Sequence, residues 1–221
     1  MPVLHVIAGP NGAGKTTFFE LVLGPATGLP FVNADAIASR RWPGDEEAHG
    51  HAAAKVAARR RAALLSEGRS FVTETVFSHA SKLELLRAAK ARGYLVHVHV
   101  VVVPLELTLR RVKLRKSQGG HSVPARKVRE RFRRLWGLLA DAIQIADEAV
   151  VYDNTSAARP FREVARYLSG TPVQEGLPAW SPLPAIGRRR RRGVDRGVRA
   201  GSVTTRRPRR ARRRSAPGPR P

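Results

Sequence analysis

The stretch Val3-Leu4-His5-Val6-Ile7-Ala8-Gly9-Pro10-Asn11-Gly12-Ala13-Gly14-Lys15-Thr16-Thr17 decides the fold. Residues 9–16 are a complete G-x-x-x-x-G-K-[ST] loop. Ahead of the loop stands a short apolar run of strand character, and residues 16–23 behind it read as the opening of a helix. Strand, glycine-rich turn and helix in that order aim backbone N–H groups and a helix N-terminus at a polyphosphate. Gly9, Gly12 and Gly14 permit conformations and close approaches that a Cβ blocks. With Pro10, Asn11, Ala13 and Thr17 they shape a concave nest for the phosphates of ATP or GTP. Lys15 reaches the β- and γ-phosphates, and the Thr16 hydroxyl sits on Mg²⁺. The competing reading, a glycine-rich turn closed by a solvated lysine, leaves the flanking strand and helix unexplained.

At 221 residues the chain is long enough for one α/β domain and a tail. Residues 173–221 hold 15 Arg, no Lys and two acidic residues, Glu175 and Asp195, so about +13 of the net charge of +24 lies there. The expected organisation is a domain over residues 1–172 and a disordered, Arg/Pro/Gly-rich basic tail over 173–221, which has too few large apolar side chains to offset the entropy of ordering. Such a tail contacts the phosphates of nucleic acid or of an acidic membrane. Trp180 is its only aromatic residue, which gives base stacking little support. A GC-rich gene read past its usual stop, or out of frame, yields a similar composition. The absence of cysteine excludes disulfides and thiolate chemistry. No apolar run approaches the roughly 18 residues of a membrane span. The first residues lack the basic region and cleavage site of a signal peptide, so a cytoplasmic protein is expected.

Further along, a second strand is expected over residues 29–33, ending at Ala34-Asp35. Residues 45–67, rich in Ala, Arg and Leu, contain a long helix stopped by Gly68. Residues 70–73 read as a third strand running into Glu74-Thr75. Ser81-x-x-Glu84 is a capping-box pattern opening a helix that ends near Gly93. Residues 94–103 are almost all β-branched or aromatic, as a strand covered on both faces requires. Pro104 suits the first turn of a helix with Leu105, Leu109 and Val112 on one face, broken by Gln118-Gly119-Gly120-His121. After Pro124 a further helix turns Val128, Phe132, Leu135 and Leu139 inward. Residues 148–152 read as a fifth strand and 161–168 as a closing helix. This alternation implies a parallel sheet with helices on both faces.

Ligands of open parallel sheets bind outside the carboxyl ends of the strands, which singles out Asp35, Glu74-Thr75 and Asp153-Asn154. Asp35 reads as a general base for a substrate hydroxyl or as the N-cap of a short helix starting at Ala36. Glu74 reads as a holder of a Mg²⁺-bound water or a substrate hydroxyl, or as a strand-end ion pair. Arg110, Arg111, Lys113, Arg115 and Lys116 lie opposite the apolar face of their helix, with Arg111 and Arg115 one turn apart. They are a solvated face, or a lid hinged at Gly119-Gly120 whose arginines stabilise a transferring phosphoryl group. Arg126, Arg129 and Arg133 form a second stripe. His97 and His99 share one face of a strand, but with no third ligand nearby they read as core histidines rather than a metal pair.

The ordered series of residues 9–17, Phe31-Val32-Asn33-Ala34-Asp35, Phe71-Val72-Thr73-Glu74-Thr75-Val76-Phe77-Ser78 and Gly119-Gly120-His121-Ser122-Val123-Pro124 resembles the zeta-toxin family of P-loop kinases, especially its short stand-alone members. The likeness runs over residues 1–168. It implies an α/β P-loop NTPase fold of the nucleotide-kinase type, with five parallel strands and helices on both faces. It also implies ATP- and Mg²⁺-dependent phosphorylation of a sugar hydroxyl of UDP-N-acetylglucosamine, and an antitoxin protein as partner. By position, Lys15 and Thr16 would hold phosphates and Mg²⁺, and Asp35 would be the base. Glu74 and Thr75 would lie against the substrate, and Arg115 would be the lid arginine. Where the family carries a second arginine before the proline that opens the next helix, this chain has His121, which is not a permanent cation near neutral pH. Either Arg126 replaces that arginine or the acceptor differs. The expected function is an ATP-dependent small-molecule kinase acting on a hydroxyl of a sugar nucleotide. The alternative is an ATP-binding or ATP-hydrolysing regulatory module associated with nucleic acid through the tail.

Overall fold

β1 (Val3–Ala8) runs into the glycine-rich loop and α1 (Lys15–Phe18) leaves it. A π-helical turn over Phe19–Leu23 and α2 (Gly24–Thr27) complete the first crossover to β2 (Phe31–Val32). Then follow α3 (Ala34–Arg41), α4 (Gly50–Ser66), β3 (Phe71–Thr75), α5 (Ser81–Ala91), β4 (Leu95–Val102) and α6 (Leu105–Ser117). The chain continues through α7 (Ala125–Ile145), β5 (Glu148–Asp153), β6 (Arg162–Leu168) and β7 (Thr171–Glu175). The structure is a computed structural model, and it describes residues 1–117, 123–184 and 186.

The strands form a single sheet in the order β2-β3-β1-β4-β5-β6-β7. β2 through β5 and β1 pair in parallel, whereas β6 and β7 are antiparallel. β1 lies between β3 and β4, so the loop that leaves it opens where the crossovers turn to opposite sides. This is the P-loop NTPase fold of nucleotide-kinase type. β4 is central and buried on both faces from Val98 to Val102, apart from a small exposure at His99, and its near-continuous valine run reflects that position. Successive residues of β1 feed opposite layers. Leu4 and Val6 join Leu86, Leu135, Leu139 and Ile143 in the larger layer. Ile7 joins Ala13, Phe18 and Leu23 in a smaller one beneath α1. Along α7, Val128, Phe132, Leu135 and Leu139 are buried as their spacing requires.

Four expectations are corrected. Among the described residues the sheet has seven strands rather than five. Residues 161–168 are not a closing helix: β6 occupies Arg162–Leu168 and pairs with β5 through a bulge at Val151/Tyr152. The capping box at Ser81 does not form; Ala80 is the N-cap, no side chain caps α5, and the Ser81 hydroxyl pairs with His79 Nδ1 instead. The packed chain also continues past residue 172, because β7 ends at Glu175 and Leu183 and Ile186 are buried in the larger layer. Residues 187–221, most of the expected tail, lie outside the described residues.

Candidate active site

The loop after β1 is bent so tightly that its glycines cannot be replaced. A Cβ on Gly9 (φ +147°) would stand 2.2 Å from the Val101 carbonyl oxygen, and one on Gly14 (φ +94°) would stand 2.5 Å from Asn154 Nδ2. Lys15 opens α1 with its side chain buried, Nζ donating to the Pro10 carbonyl at 3.0 Å and facing Glu74 Oε1 at 3.6 Å. Burial pushes its ammonium below the ordinary lysine range, while the Glu74 and Asp35 carboxylates pull it back up. A cation held in this way is complementary to a polyphosphate.

Glu74, at the end of β3, collects three donors. Thr16 Oγ1 donates to its Oε2 at 2.8 Å, Asn33 Nδ2 to the same oxygen at 2.6 Å, and Lys15 stands on the other oxygen. Asn33 also caps α3, its Oδ1 accepting from the backbone N–H groups of Asp35 and Ala36 at 2.7 and 3.2 Å. The cap expected of Asp35 is therefore Asn33, and the Asp35 carboxylate is exposed, facing the same cleft as Lys15. Thr75 turns its hydroxyl back to accept from the Phe77 N–H at 3.1 Å, within a turn that holds the fully buried Phe77 at φ +61°. Such a conformation is costly for a bulky residue and persists only where its surroundings enforce it. The Thr16 hydroxyl and the Glu74 carboxylate are hard oxygen donors side by side, a set that fits Mg²⁺, which takes one or two protein oxygens together with phosphates and water.

The two lid candidates of α6 do different things. Arg111 reaches across the loop, with Nη1 3.4 Å from the Gly12 carbonyl and Nη2 3.0 Å from that of Asn154. Asn154 closes the same clamp from the end of β5, its Nδ2 donating to the Ala13 carbonyl at 2.8 Å. Arg115, one turn further on, is exposed and has no hydrogen-bond or ion-pair partner among the described residues. His121 and the Gly119-Gly120 pair lie outside the described residues.

Two clefts meet at this point. One, of about 380 Å³, runs from Gly14 and Thr17 past Arg111 and Asn154 to Leu21, Pro160 and Phe161. The other, of about 260 Å³, runs from Asn11 past Asn33, Asp35 and Thr75 to α4 and α5. Gly12, Lys15, Thr16, Glu74 and Arg115 line both. Asp35 lines only the second, and the far wall of that cleft carries Arg61, Lys82 and Arg131. These three and Asn33 were given no role from the sequence, whereas Asn154 was marked there as a strand-end residue. Asn33 carried a signal, an Asn directly before a helix. The cations carried none, because each lies on a different helix and only the tertiary fold brings them together. His97 and His99 lie at the sheet face opposite the larger core layer, beside His5, whose Nδ1 is 3.1 Å from His99 Nε2.

A family model described as an AAA domain matches residues 4–138. No curated protein matches the chain. Among solved structures, a chain of AvrRxo1-ORF1:-ORF2 with ATP is 20% identical, with a TM-score of 0.62 over 79% of this chain and 61% of its own. This chain thus spans about three-fifths of that protein's length. A chain of the PezAT chromosomal toxin–antitoxin system of the human pathogen Streptococcus pneumoniae is 17% identical, with a TM-score of 0.54 over 75% of this chain and 72% of its own. A chain of the Pnkp1/Rnl/Hen1 RNA repair complex is 19% identical, with a TM-score of 0.51 over 63% and 46%. At these identities the likeness is one of fold. No helix among the described residues is long and apolar enough to cross a membrane.

Proposed function

The chain belongs to the AAA-domain family of P-loop proteins, and from that premise we propose that it is an ATP-dependent phosphotransferase acting on a hydroxyl of a small molecule. One observation carries the reading: two clefts share Lys15, Thr16, Glu74 and Arg115, and a free carboxylate, Asp35, stands in only one of them. A nucleotide hydrolase needs the first cleft alone, whereas a transferase needs a second cleft for the acceptor. In this reading ATP lies along the loop with its β- and γ-phosphates on Lys15 and the N–H nest. The acceptor hydroxyl lies against Asp35, which takes its proton as the oxygen bonds to the γ-phosphorus. The bond from that phosphorus to the β–γ bridging oxygen breaks and ADP leaves. Arg115 faces the equatorial oxygens at the junction. Thr16 and Glu74 would hold Mg²⁺, whose charge neutralises the phosphate oxygens.

The finer proposal is a zeta-toxin-like kinase whose acceptor is UDP-N-acetylglucosamine or a related sugar nucleotide, with a neutralising antitoxin as protein partner. It is supported by the ordered motifs around Asp35 and Glu74-Thr75, and by the likeness to a chain of a toxin–antitoxin system. The test is incubation of the purified protein with ATP, Mg²⁺ and UDP-N-acetylglucosamine, then with a metabolite extract, followed by mass spectrometry. The expected product gains about 80 daltons, one phosphoryl group. ATP consumed at the same rate with or without any acceptor, and no phosphorylated product, would replace the kinase reading by that of a hydrolysing regulatory module.

A further inference from the structure

Arg61 of α4, Lys82 of α5 and Arg131 of α7 line the acceptor cleft and are absent from the walls of the nucleotide cleft. All three are half-buried, and among the described residues none of their side chains has a hydrogen-bond or ion-pair partner. Burial pushes Arg61 and Lys82 below their ordinary ranges, and the charge of Arg61 lowers Lys82 further. The two carboxylates of the cleft do not relieve them. Glu74 is taken by Lys15, Thr16 and Asn33, and Asp35 faces Lys15. Three partly desolvated cations converging from three helices are costly without a counter-charge. ATP held on the loop and Lys15 keeps its phosphates at the junction of the clefts, whereas these cations line the second cleft only, and a neutral sugar or alcohol supplies no counter-charge.

We propose that Arg61, Lys82 and Arg131 form an anion subsite that binds a phosphate group of the acceptor, so that the acceptor is a phosphate-bearing molecule held at one end by these cations while its hydroxyl reaches Asp35. The identification of the bound anion as the acceptor rests on the phosphotransferase reading; the subsite itself does not. A monoester phosphate and a diphosphate linkage offer the same oxygens, and Arg presents a planar fork to either.

The test has a binding arm and a turnover arm. In the first, protein saturated with Mg²⁺ and the non-hydrolysable analogue AMP-PNP is titrated calorimetrically with inorganic pyrophosphate. One equivalent is expected to bind, at least tenfold more weakly in Arg61→Gln and in Arg131→Gln, with AMP-PNP affinity within twofold of the parent as the check that each variant is folded. No pyrophosphate binding to the loaded protein, or equal affinity in both variants, overturns the subsite. In the second arm the acceptors are N-acetylglucosamine, its 1-phosphate and UDP-N-acetylglucosamine. Turnover of either phosphorylated form at least a hundredfold above the neutral sugar supports the proposal, and which of the two is used separates monoester from diphosphate. Equal turnover of the neutral sugar overturns it. Variant-sensitive pyrophosphate binding without transfer to any acceptor upholds the anion subsite and counts against the phosphotransferase reading alone.

Discussion

At Asn33 one amide does two things: its oxygen caps α3 and its nitrogen fixes the Glu74 carboxylate. Asp35 is thereby released from structural duty; its carboxylate makes no hydrogen bond among the described residues and faces Lys15 across the cleft. The two positions therefore separate chemistry from architecture. Asp35→Asn keeps shape and removes the carboxylate proposed as the base, so kcat for phosphoryl transfer should fall about 10²- to 10⁴-fold. ATP affinity should change less than about twofold, and stability should stay within about 0.5 kcal/mol, as for a surface change. Asn33→Ala should instead cost about 1 kcal/mol of stability from the lost cap. It would also leave one donor fewer on Glu74, which should raise KM for the acceptor. Steady-state kinetics with urea unfolding on both variants checks the pair. Unchanged turnover in Asp35→Asn would remove Asp35 from the chemistry.

At the level of elements, α6 divides its labour over one turn. Arg111 holds the loop in shape from behind, through the carbonyls of Gly12 and Asn154, while Arg115 stands free where the clefts join. Charge-assisted hydrogen bonds are worth about 1.5–3 kcal/mol, so Arg111→Ala should weaken ATP binding roughly ten- to a hundredfold through a loosened loop. Arg115→Ala should leave ATP binding nearly intact and lower kcat by about 10²-fold or more. Equilibrium ATP titration alongside kcat separates the two, and equal loss in both quantities for both variants would contradict this division. At the far edge of the sheet, β6 and β7 are joined by Ser169 (φ +47°) and Gly170 (φ +73°), a two-residue turn with positive φ at both positions. A Cβ on Gly170 would also stand 2.8 Å from Gln144 Oε1. Gly170→Ala should therefore destabilise the fold by about 1–2 kcal/mol, measurable as a lowered urea midpoint without change in ATP affinity. This hairpin is also where sequence reasoning misread the fold. Phe161, Val164, Ala165 and Leu168 recur at helical spacing, and short apolar runs do not distinguish helix from strand. The structure buries Val164, Ala165 and Tyr167 and leaves Leu168 half exposed, so tertiary pairing with β5 decides the element. The Ser-Gly pair before Thr171 was the available turn signal. The central strands and α7 were legible because their apolar patterns are long and of a single period. Within the site, the loop, Asp35 and Glu74 were legible from local motifs, whereas the convergence of α4, α5 and α7 on one cleft has no local signature.

The described residues are layered unevenly about the sheet, and that asymmetry should set the response of this domain to acid. One face carries a thick layer under α4, α5 and α7; the other carries a thin one, where Phe18 of α1 packs on Tyr152, Phe161 and His99 at 4.7, 5.2 and 5.6 Å between ring centres. His5 and His99 lie in this thin layer with His97 at its margin, 3.8 Å from Glu148, which also pairs with Arg166. Burial, followed by the neighbouring His97, lowers His5 to about 4, and burial, then His5, His97 and Arg166, lowers His99 to about 3, against 6.5 for each in an open chain. Between those values the unfolded chain binds the more protons, so stability is complete above about pH 7 and declines as pH falls from there through 4 and 3. By pH 5 the loss is on the order of 2 kcal/mol for either ring. Ordinary carboxylates titrate mostly below that pH, so the window from pH 7 to 5 isolates the histidines. The urea midpoint should fall steadily across it. Replacing His99 by Phe, in a pocket already formed by Phe18 and Tyr152, should remove about half of that slope; an unchanged slope would show that these rings do not govern it. Because Phe18 docks α1 on this layer, and α1 begins at Lys15, acid should also weaken ATP binding before the chain unfolds. Titrating ATP at pH 7 and pH 5 in the parent and in His99→Phe measures this link: the parent should lose affinity and the variant should lose less.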